Sequence, residues 1–446
     1  MRLTILGGGG FRVPLVYGAL LRDRAPGRVT ELTLYDVDAA RLAAIAKVLA
    51  DQARGVQDAP SVRAVTDLDE ALRGADFVFS AIRVGGLAGR AADERVALAE
   101  GVLGQETVGA GGIAYGLRTV PVADAIARRV KALAPDAWVI NFTNPAGLVT
   151  EAMARHLGEQ VIGICDSPVG LARRVARTVG ADLDAVRLDY AGLNHLGWLH
   201  GLYQGEENVL PRLLADDALL ASFEEGRLFG ADWLRSLGSM PNEYLYYYYF
   251  NREAVAAYRQ AERTRGAFLL DQQARFYATV TGGEQAWDAW DRTRAEREVT
   301  YMSENREVSG AGERAADDLE SGGYENVALA LMRAIARDEP ATLILNVPNG
   351  SSLHALDAEA VVEIPCRVDA SGPRPLPVTQ LTGHEAGLVS AVKAVERCVL
   401  EAAESGSARA AVKAFALHPL IDSVQVARRL LDGYRDAHPG LAYLRP

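Results

Sequence analysis

The chain opens on a pattern that leaves few folds available to it. An apolar run, Leu3-Thr4-Ile5-Leu6, breaks into Gly7-Gly8-Gly9-Gly10 and is followed by apolar positions at helical spacing, Val13, Val16, Tyr17 and Leu20. A second run, Glu31 to Tyr35, ends on Asp36. Strand, glycine loop, helix and strand in that order begin a parallel α/β sheet that takes a dinucleotide at its first turn. The glycines let backbone N–H groups approach a pyrophosphate at a helix N-terminus, so Gly7, Gly8, Gly9 and Gly10 are cofactor-binding candidates. An acid at the tip of the second strand suits the ribose hydroxyls of NAD and repels the extra phosphate of NADP, which adds Asp36. Four glycines alone also make an ordinary tight turn. The order of elements around them carries the reading.

The alternation continues. Residues 39–53 read as helix, 62–65 as strand, 67–73 as a short helix and 76–82 as a buried parallel strand. Next comes Arg83-Val84-Gly85-Gly86-Leu87-Ala88-Gly89-Arg90, expected as a loop at the carboxyl end of a strand, where open α/β sheets bind ligands. Arg83 and Arg90 could grip an anion there, against the commoner fate of a solvated pair. Gly104-Gln105-Glu106-Thr107 and Gly109-Ala110-Gly111-Gly112 read as a long glycine-rich loop able to close over a ligand, ahead of a helix over 114–133. After a strand over 137–141, Asn144 precedes Pro145, which biases it to an extended backbone with a helix starting at the proline. A strand over 160–164 carries Cys165 and Asp166 at its tip, and a helix follows from Pro168. A thiol near a helix N-terminus has its pKa lowered and becomes a ready ligand, although a lone cysteine is more often inert and buried.

In the second half, residues 186–203 are strand-like with Asn194-His195 inside the run. A thiolate and an imidazole together suit a borderline transition metal. Residues 205–235 read as mostly helical. In Tyr244-Leu245-Tyr246-Tyr247-Tyr248-Tyr249 the tyrosines read mainly as an aromatic core helix. A tyrosine also serves as a proton acceptor where a nearby metal or cation lowers its pKa. A helix is expected over 262–273, with Arg263 and Arg265 at its start, a polar loop over 303–317 and an apolar helix over 324–336. Strands over 342–347 and 361–364 flank an Asn349-Gly350 turn, and helices over 385–405 and 407–436 complete the chain.

At 446 residues two domains are expected, a Rossmann-like NAD-binding domain over 1–190 and an α+β substrate, metal and oligomerisation domain over 191–446. The net charge of −11 argues against nucleic acid or an anionic membrane as partner, but local arginines can still hold a phosphate. Cys165, Cys366 and Cys398 make no disulfide framework and fit a reducing, cytoplasmic setting. Met1 leads straight into a strand instead of a secretory signal, and no apolar run is long enough to span a bilayer.

Together the motifs resemble the NAD-dependent glycoside hydrolases of family 4, which include 6-phospho-β-glucosidases and 6-phospho-α-glucosidases. The match runs from Gly7-Gly8-Gly9 through Ile82-Arg83-Val84-Gly85-Gly86, Gly104-Gln105-Glu106-Thr107, Asn141-Phe142-Thr143-Asn144-Pro145, Ile164-Cys165-Asp166 and Gly192-Leu193-Asn194-His195 to Pro241-Asn242-Glu243-Tyr244-Leu245. The resemblance implies an α/β fold of the lactate/malate dehydrogenase-like kind, with NAD and a divalent metal, usually manganese. It implies that Cys165 and His195 hold the metal, that Tyr244 is the catalytic base and that Asp36 and Arg83 serve the cofactor. It also implies that Arg90, Glu106, Asn144, Asn194 and Arg265 contact a phosphorylated sugar. Asp166 matches the proposed general acid of the α-specific members, where β-specific members usually carry asparagine. The implied route lies outside the two-carboxylate scheme: oxidation at C3 by NAD, removal of the C2 proton, elimination at C1, addition of water and reversal of the oxidation. Overall resemblance favours a 6-phospho-β-glucosidase. The alternatives are an α-specific enzyme, a family member acting on an unphosphorylated glycoside, an ordinary NAD-dependent hydroxy-acid dehydrogenase and a non-catalytic nucleotide sensor. A homodimer or homotetramer is expected.

Overall fold

The structure is a computed structural model and describes residues 1–283, 285–300 and 323–445. The polar loop expected over 303–317 lies outside the described residues. The first half alternates as its apolar pattern requires: β1 (Arg2–Leu6), α1 (Val13–Arg22), β2 (Glu31–Tyr35), α2 (Ala39–Gln52), β3 (Ser61–Val65), α3 (Leu68–Leu72), β4 (Phe77–Ser80), α4 (Gly86–Ala99), α5 (Gly109–Leu133), β5 (Trp138–Asn141), α6 (Ala146–Leu157), β6 (Val161–Gly163) and α7 (Ser167–Val179). These six strands are parallel in the order β3-β2-β1-β4-β5-β6. The order reverses between β1 and β4, and the glycine loop leaves β1 at that switch point, where such sheets bind ligands. The central strands are buried on both faces: Leu3, Ile5 and Leu6 are inaccessible, and the hydroxyl of Thr4 donates to Ala71 O at 2.8 Å.

The second half extends the same sheet. Strands β7 (Val186–Leu193), β8 (Leu196–Gln204), β9 (Glu207–Asn208), β10 (Met240–Pro241), β11 (Ala341–Pro348), β12 (Val361–Asp369) and β13 (Gly372–Pro375) pair antiparallel. β11 joins β6 through Asn346 and Gly163, and β12 joins β7 through Glu363 and Gly192. The result is one 13-stranded mixed sheet. It runs across residues 190 and 191, which both lie in β7. The C-terminal helices, Gly383–Ser405, Ala408–Leu417 and Val424–Ala437, pack with α5 around a second apolar cluster. The single helix expected over 407–436 is interrupted around Pro419, which cannot donate to a helical hydrogen bond. No described helix is long and apolar enough to cross a membrane.

Three local expectations are corrected. Arg90 lies on α4 and not on a loop. Residues 109–112 form the first turn of α5. A Cβ on Gly111 would come within 2.3 Å of Gln105 O, so these glycines allow close packing and do not form a closing flap. Asn194-His195 is the two-residue connection between β7 and β8, not the middle of a strand. His195 sits there at φ 62°, a backbone region that costs a non-glycine residue energy but tolerates histidine better than most.

Candidate active site

The carboxyl ends of the parallel strands open into a cavity of about 1540 Å³ lined from both halves of the chain. At one end lies the glycine loop. The N–H groups of Gly7 and Gly8 donate to Tyr35 O (2.9 and 2.7 Å), Gly10 N–H donates to Gly7 O (2.8 Å) and Gly9 N–H donates to Asp36 Oδ2 (2.9 Å). Gly7 has φ +85°, and a Cβ there would lie 2.5 Å from Ala81 O, so the turn requires glycine. Gly7, Gly9 and Gly10 line the cavity together with Asp36, whereas Gly8 packs beneath them against Leu34. The outer face of the loop is held by three aromatic donors from the second half. Tyr277 OH donates to Gly9 O (2.6 Å), Trp290 Nε1–H to Phe11 O (2.7 Å) and Tyr324 OH to Arg12 O (2.9 Å).

Deeper in, the arginines form one network. Arg83 pairs with Glu106, and Arg90 reaches Glu106 Oε2 at 2.5 Å and Glu94 Oε1 at 3.0 Å. Burial alone would raise the Glu106 pKa, but the charges of Arg83 and Arg90 outweigh it and hold the carboxyl below its ordinary range. Arg265 donates to Thr300 O (3.0 Å), Thr300 Oγ1 (2.6 Å) and Arg297 O (2.9 Å). Arg297, which sequence reasoning misses, has its pKa pulled well down by burial and then by the like charges of Arg12, Arg265 and Arg90. Such a group of guanidinium charges is stabilised by an anion.

The third part centres on Cys165 and His195. Cys165 follows β6, and its Sγ lies 3.5 Å from His195 Nε2. The His195 ring stacks on Tyr244, with centroids 3.6 Å apart and planes at 4°. Burial pushes the imidazole pKa down to about 3, so the ring is neutral and able to coordinate. The thiol departs from expectation. Its pKa is raised, first by burial and then by Glu363 and Asp166, and these outweigh the helix N-terminus. A soft sulfur and a neutral imidazole converging at this distance suit a divalent transition metal that releases the thiol proton on binding. Among the described residues no third His, Cys, Asp or Glu completes the set.

Asp166 faces the cavity with Arg12 Nη1 4.0 Å from its carboxylate. Asn144 lines the same space and is joined to Pro145 by a cis peptide bond. Asn194 lies beside the Cys165–His195 pair: its side chain hydrogen-bonds Cys165, and its Nδ2 donates to Glu363 Oε1 at 3.0 Å.

Glu363 is a second residue that sequence reasoning passes over, although a lone charge in Val361-Val362-Glu363-Ile364 was a usable signal. It is fully buried on β12 and also accepts from Asn346 Nδ2 and Tyr190 OH, each at 3.0 Å. Burial raises its pKa, the three donors pull it back, and it settles at about 7. The folded metal-free chain therefore keeps this proton above the unfolded value of 4.5. The stability contributed by the raised pKa is complete below pH 4.5 and is lost as pH rises to about 7, on the order of 3 kcal/mol. Glu363→Gln removes this titration. In urea unfolding at fixed pH, the variant is expected to gain on the parent from pH 4.5 to 7 and level off above. Parallel pH profiles would refute this.

Two family models cover most of the chain: "Family 4 glycosyl hydrolase" matches residues 2–181 and "Family 4 glycosyl hydrolase C-terminal domain" matches residues 190–421. The chain is 32% identical to the "Probable 6-phospho-beta-glucosidase" of Bacillus subtilis (strain 168), over 99% of this chain and 96% of that one. It is similar to the solved 6-phospho-beta glucosidase from Thermotoga maritima with manganese, NAD+ and glucose-6-phosphate, at a TM-score of 0.81 and 26% identity over 98% of both chains. A 6-phospho-alpha-glucosidase from gut microorganisms in complex with NAD and Mn2+ matches at 0.80 and 25%, over 99% of this chain and 98% of that one.

Proposed function

The chain belongs to the family 4 glycosyl hydrolases, and from that premise we propose that it hydrolyses the O-glycosidic bond of 6-phosphorylated glucosides with NAD and a divalent metal as cofactors. The hydroxy-acid dehydrogenase and sensor readings give way to this family placement. The observation that carries the proposal is the convergence of the Cys165–His195 pair with the stacked Tyr244, in the same cavity as the glycine loop and the arginine network.

Bound there, NAD would supply reversible oxidation of a sugar carbon, and the metal would supply a Lewis acid for the oxygens beside it. The protein's own residues do the rest. The loop at Gly7, Gly9 and Gly10, with Asp36 and Arg83, seats the dinucleotide. Arg90 and Arg265 orient the 6-phosphate, with Glu106 fixing Arg90 in place. Asn144 contacts the sugar, and Asn194 steadies the site by bonding both Cys165 and Glu363. Tyr244 takes the proton from the carbon next to the oxidised one. Asp166 gives a proton to the departing oxygen, and water adding back at C1 completes the hydrolysis. The three free, buried cysteines support a reducing, cytoplasmic setting.

Overall resemblance and the B. subtilis relative favour the β-linked substrate. Asp166 directly after Cys165 favours the α-linked one, and this is the second reading. A panel of α- and β-nitrophenyl glucosides, with and without 6-phosphate, tests both. Release is expected only from the phosphorylated compounds and only with NAD and Mn2+ present. Full activity after exhaustive chelation and removal of NAD would refute the proposal.

A further inference from the structure

We infer that Thr107 is a positioning residue for the metal-binding imidazole, accepting the Nδ1 proton of His195 so that the Nε2 lone pair faces Cys165. The inference rests on the proposed metal site and adds to it a residue that the functional reading leaves idle.

The geometry that carries it is a chain of hydrogen bonds with one consistent direction. Gln105 Oε1 accepts the backbone N–H groups of Thr107 (2.6 Å) and Val108 (2.8 Å). Two backbone donors identify that atom as the amide oxygen, which can only accept. Thr107 Oγ1 lies 3.1 Å from the same oxygen, so the single hydroxyl proton has an acceptor there. The hydroxyl lone pairs are then available to His195 Nδ1, 2.7 Å away. A neutral imidazole carries one ring proton. With that proton on Nδ1, Nε2 is left basic and turned to Cys165 Sγ at 3.5 Å.

The stack on Tyr244 cannot make this choice. Parallel rings 3.6 Å apart fix the plane of the imidazole, yet a half-turn about the Cβ–Cγ bond returns the ring to that plane and leaves the stack intact. The bond to Thr107 selects one of the two orientations. The same short strap also serves the anion end of the cavity, because Glu106 bonds Arg83 and Arg90 while its neighbour Thr107 bonds His195. Gln105 locks the strap to the start of α5, so both contacts are set by one rigid piece of backbone.

The test is metal affinity in the full chain with NAD present, read from the electron paramagnetic resonance signal of free Mn2+. Thr107→Val keeps the shape of the side chain and removes the acceptor. It is expected to weaken Mn2+ binding by roughly 10- to 100-fold and to shift the sulfur-to-metal absorption band of the Co2+ form. NAD affinity and the melting temperature should stay at parent values. Thr107→Ser, which keeps the hydroxyl, should restore both metal readouts. Equal Mn2+ affinity in Thr107→Val and the parent would overturn the role of Thr107 while leaving the metal site standing. So would a serine variant as weak as the valine one, because loss of packing and not of the hydrogen bond would then be the cause. A parent chain that binds no Mn2+ would overturn the metal site itself, and this inference with it.

Discussion

Tyr244→Phe is expected to lower turnover by roughly 10²- to 10⁴-fold, the usual contribution of a positioned general base. That corresponds to about 3 to 5 kcal/mol of transition-state stabilisation. The variant removes one oxygen and keeps the ring, so the stack on His195 at 3.6 Å should survive. Mn2+ and NAD affinities are therefore expected to stay at parent values while the chemistry stops. Proton exchange separates this outcome from a misfolded site. In deuterated buffer the parent should place deuterium at the carbon that Tyr244 deprotonates, and the variant should not. A Tyr244→Phe enzyme that turns over and exchanges at parent rates would remove Tyr244 from the role of base.

Cys165→Ala is expected to cost more metal affinity than the roughly 10- to 100-fold that follows loss of an outer partner, because it deletes one of the two proposed protein donors themselves. Activity that depends on Mn2+ should vanish with it. The buried thiol adds a pH signature. Burial, then Glu363 and Asp166, hold Cys165 protonated at neutral pH, whereas a metal needs the thiolate. Each unit of rising pH raises the thiolate fraction about tenfold, so the parent's Mn2+ affinity should climb by about tenfold per unit. His195 adds nothing to this slope, since its ring is already neutral above about pH 3. Isothermal titration over the pH unit above the Glu363 titration at about 7 measures both effects. A flat parent profile would mean that the thiol is not displaced by the metal. In Cys165→Ala the slope should disappear along with the affinity.

Much of the first half was legible because parallel α/β units write themselves locally. The apolar runs, the glycine turn and the tip acid Asp36 are each contiguous, and a 3-2-1-4-5-6 sheet follows from repeating them. What failed locally was glycine. Residues 109–112 resemble a flexible loop in composition, but their missing side chains let α5 pack against Gln105 and Thr107. The candidate site was legible wherever a residue carried its own chemistry, as do Cys165, His195 and Tyr244, which the structure brings together. Arg297 and Thr107 were not, because each matters through a neighbour distant in the chain, Arg12 and His195 among them. The thiol pKa, expected low from the sequence, is raised for a related reason. A helix N-terminus is visible in sequence, whereas burial and the approach of Glu363 from β12 are not.

The pairing of β6 with β11 has a consequence for how the enzyme is made. Gly163 and Asn346 are neighbours in the sheet but far apart in the chain, and the glycine loop likewise waits for Tyr277, Trp290 and Tyr324 to reach its carbonyls. During synthesis at about 5 to 20 residues per second, the interval between Gly163 and Asn346 leaving the ribosome is roughly 10 to 40 s. For that time β6 is an open edge and the glycine loop lacks its outer supports. The finished glycine loop is thus a late feature of the nascent chain, and contacts of such long sequence separation set a slow folding rate for the whole molecule.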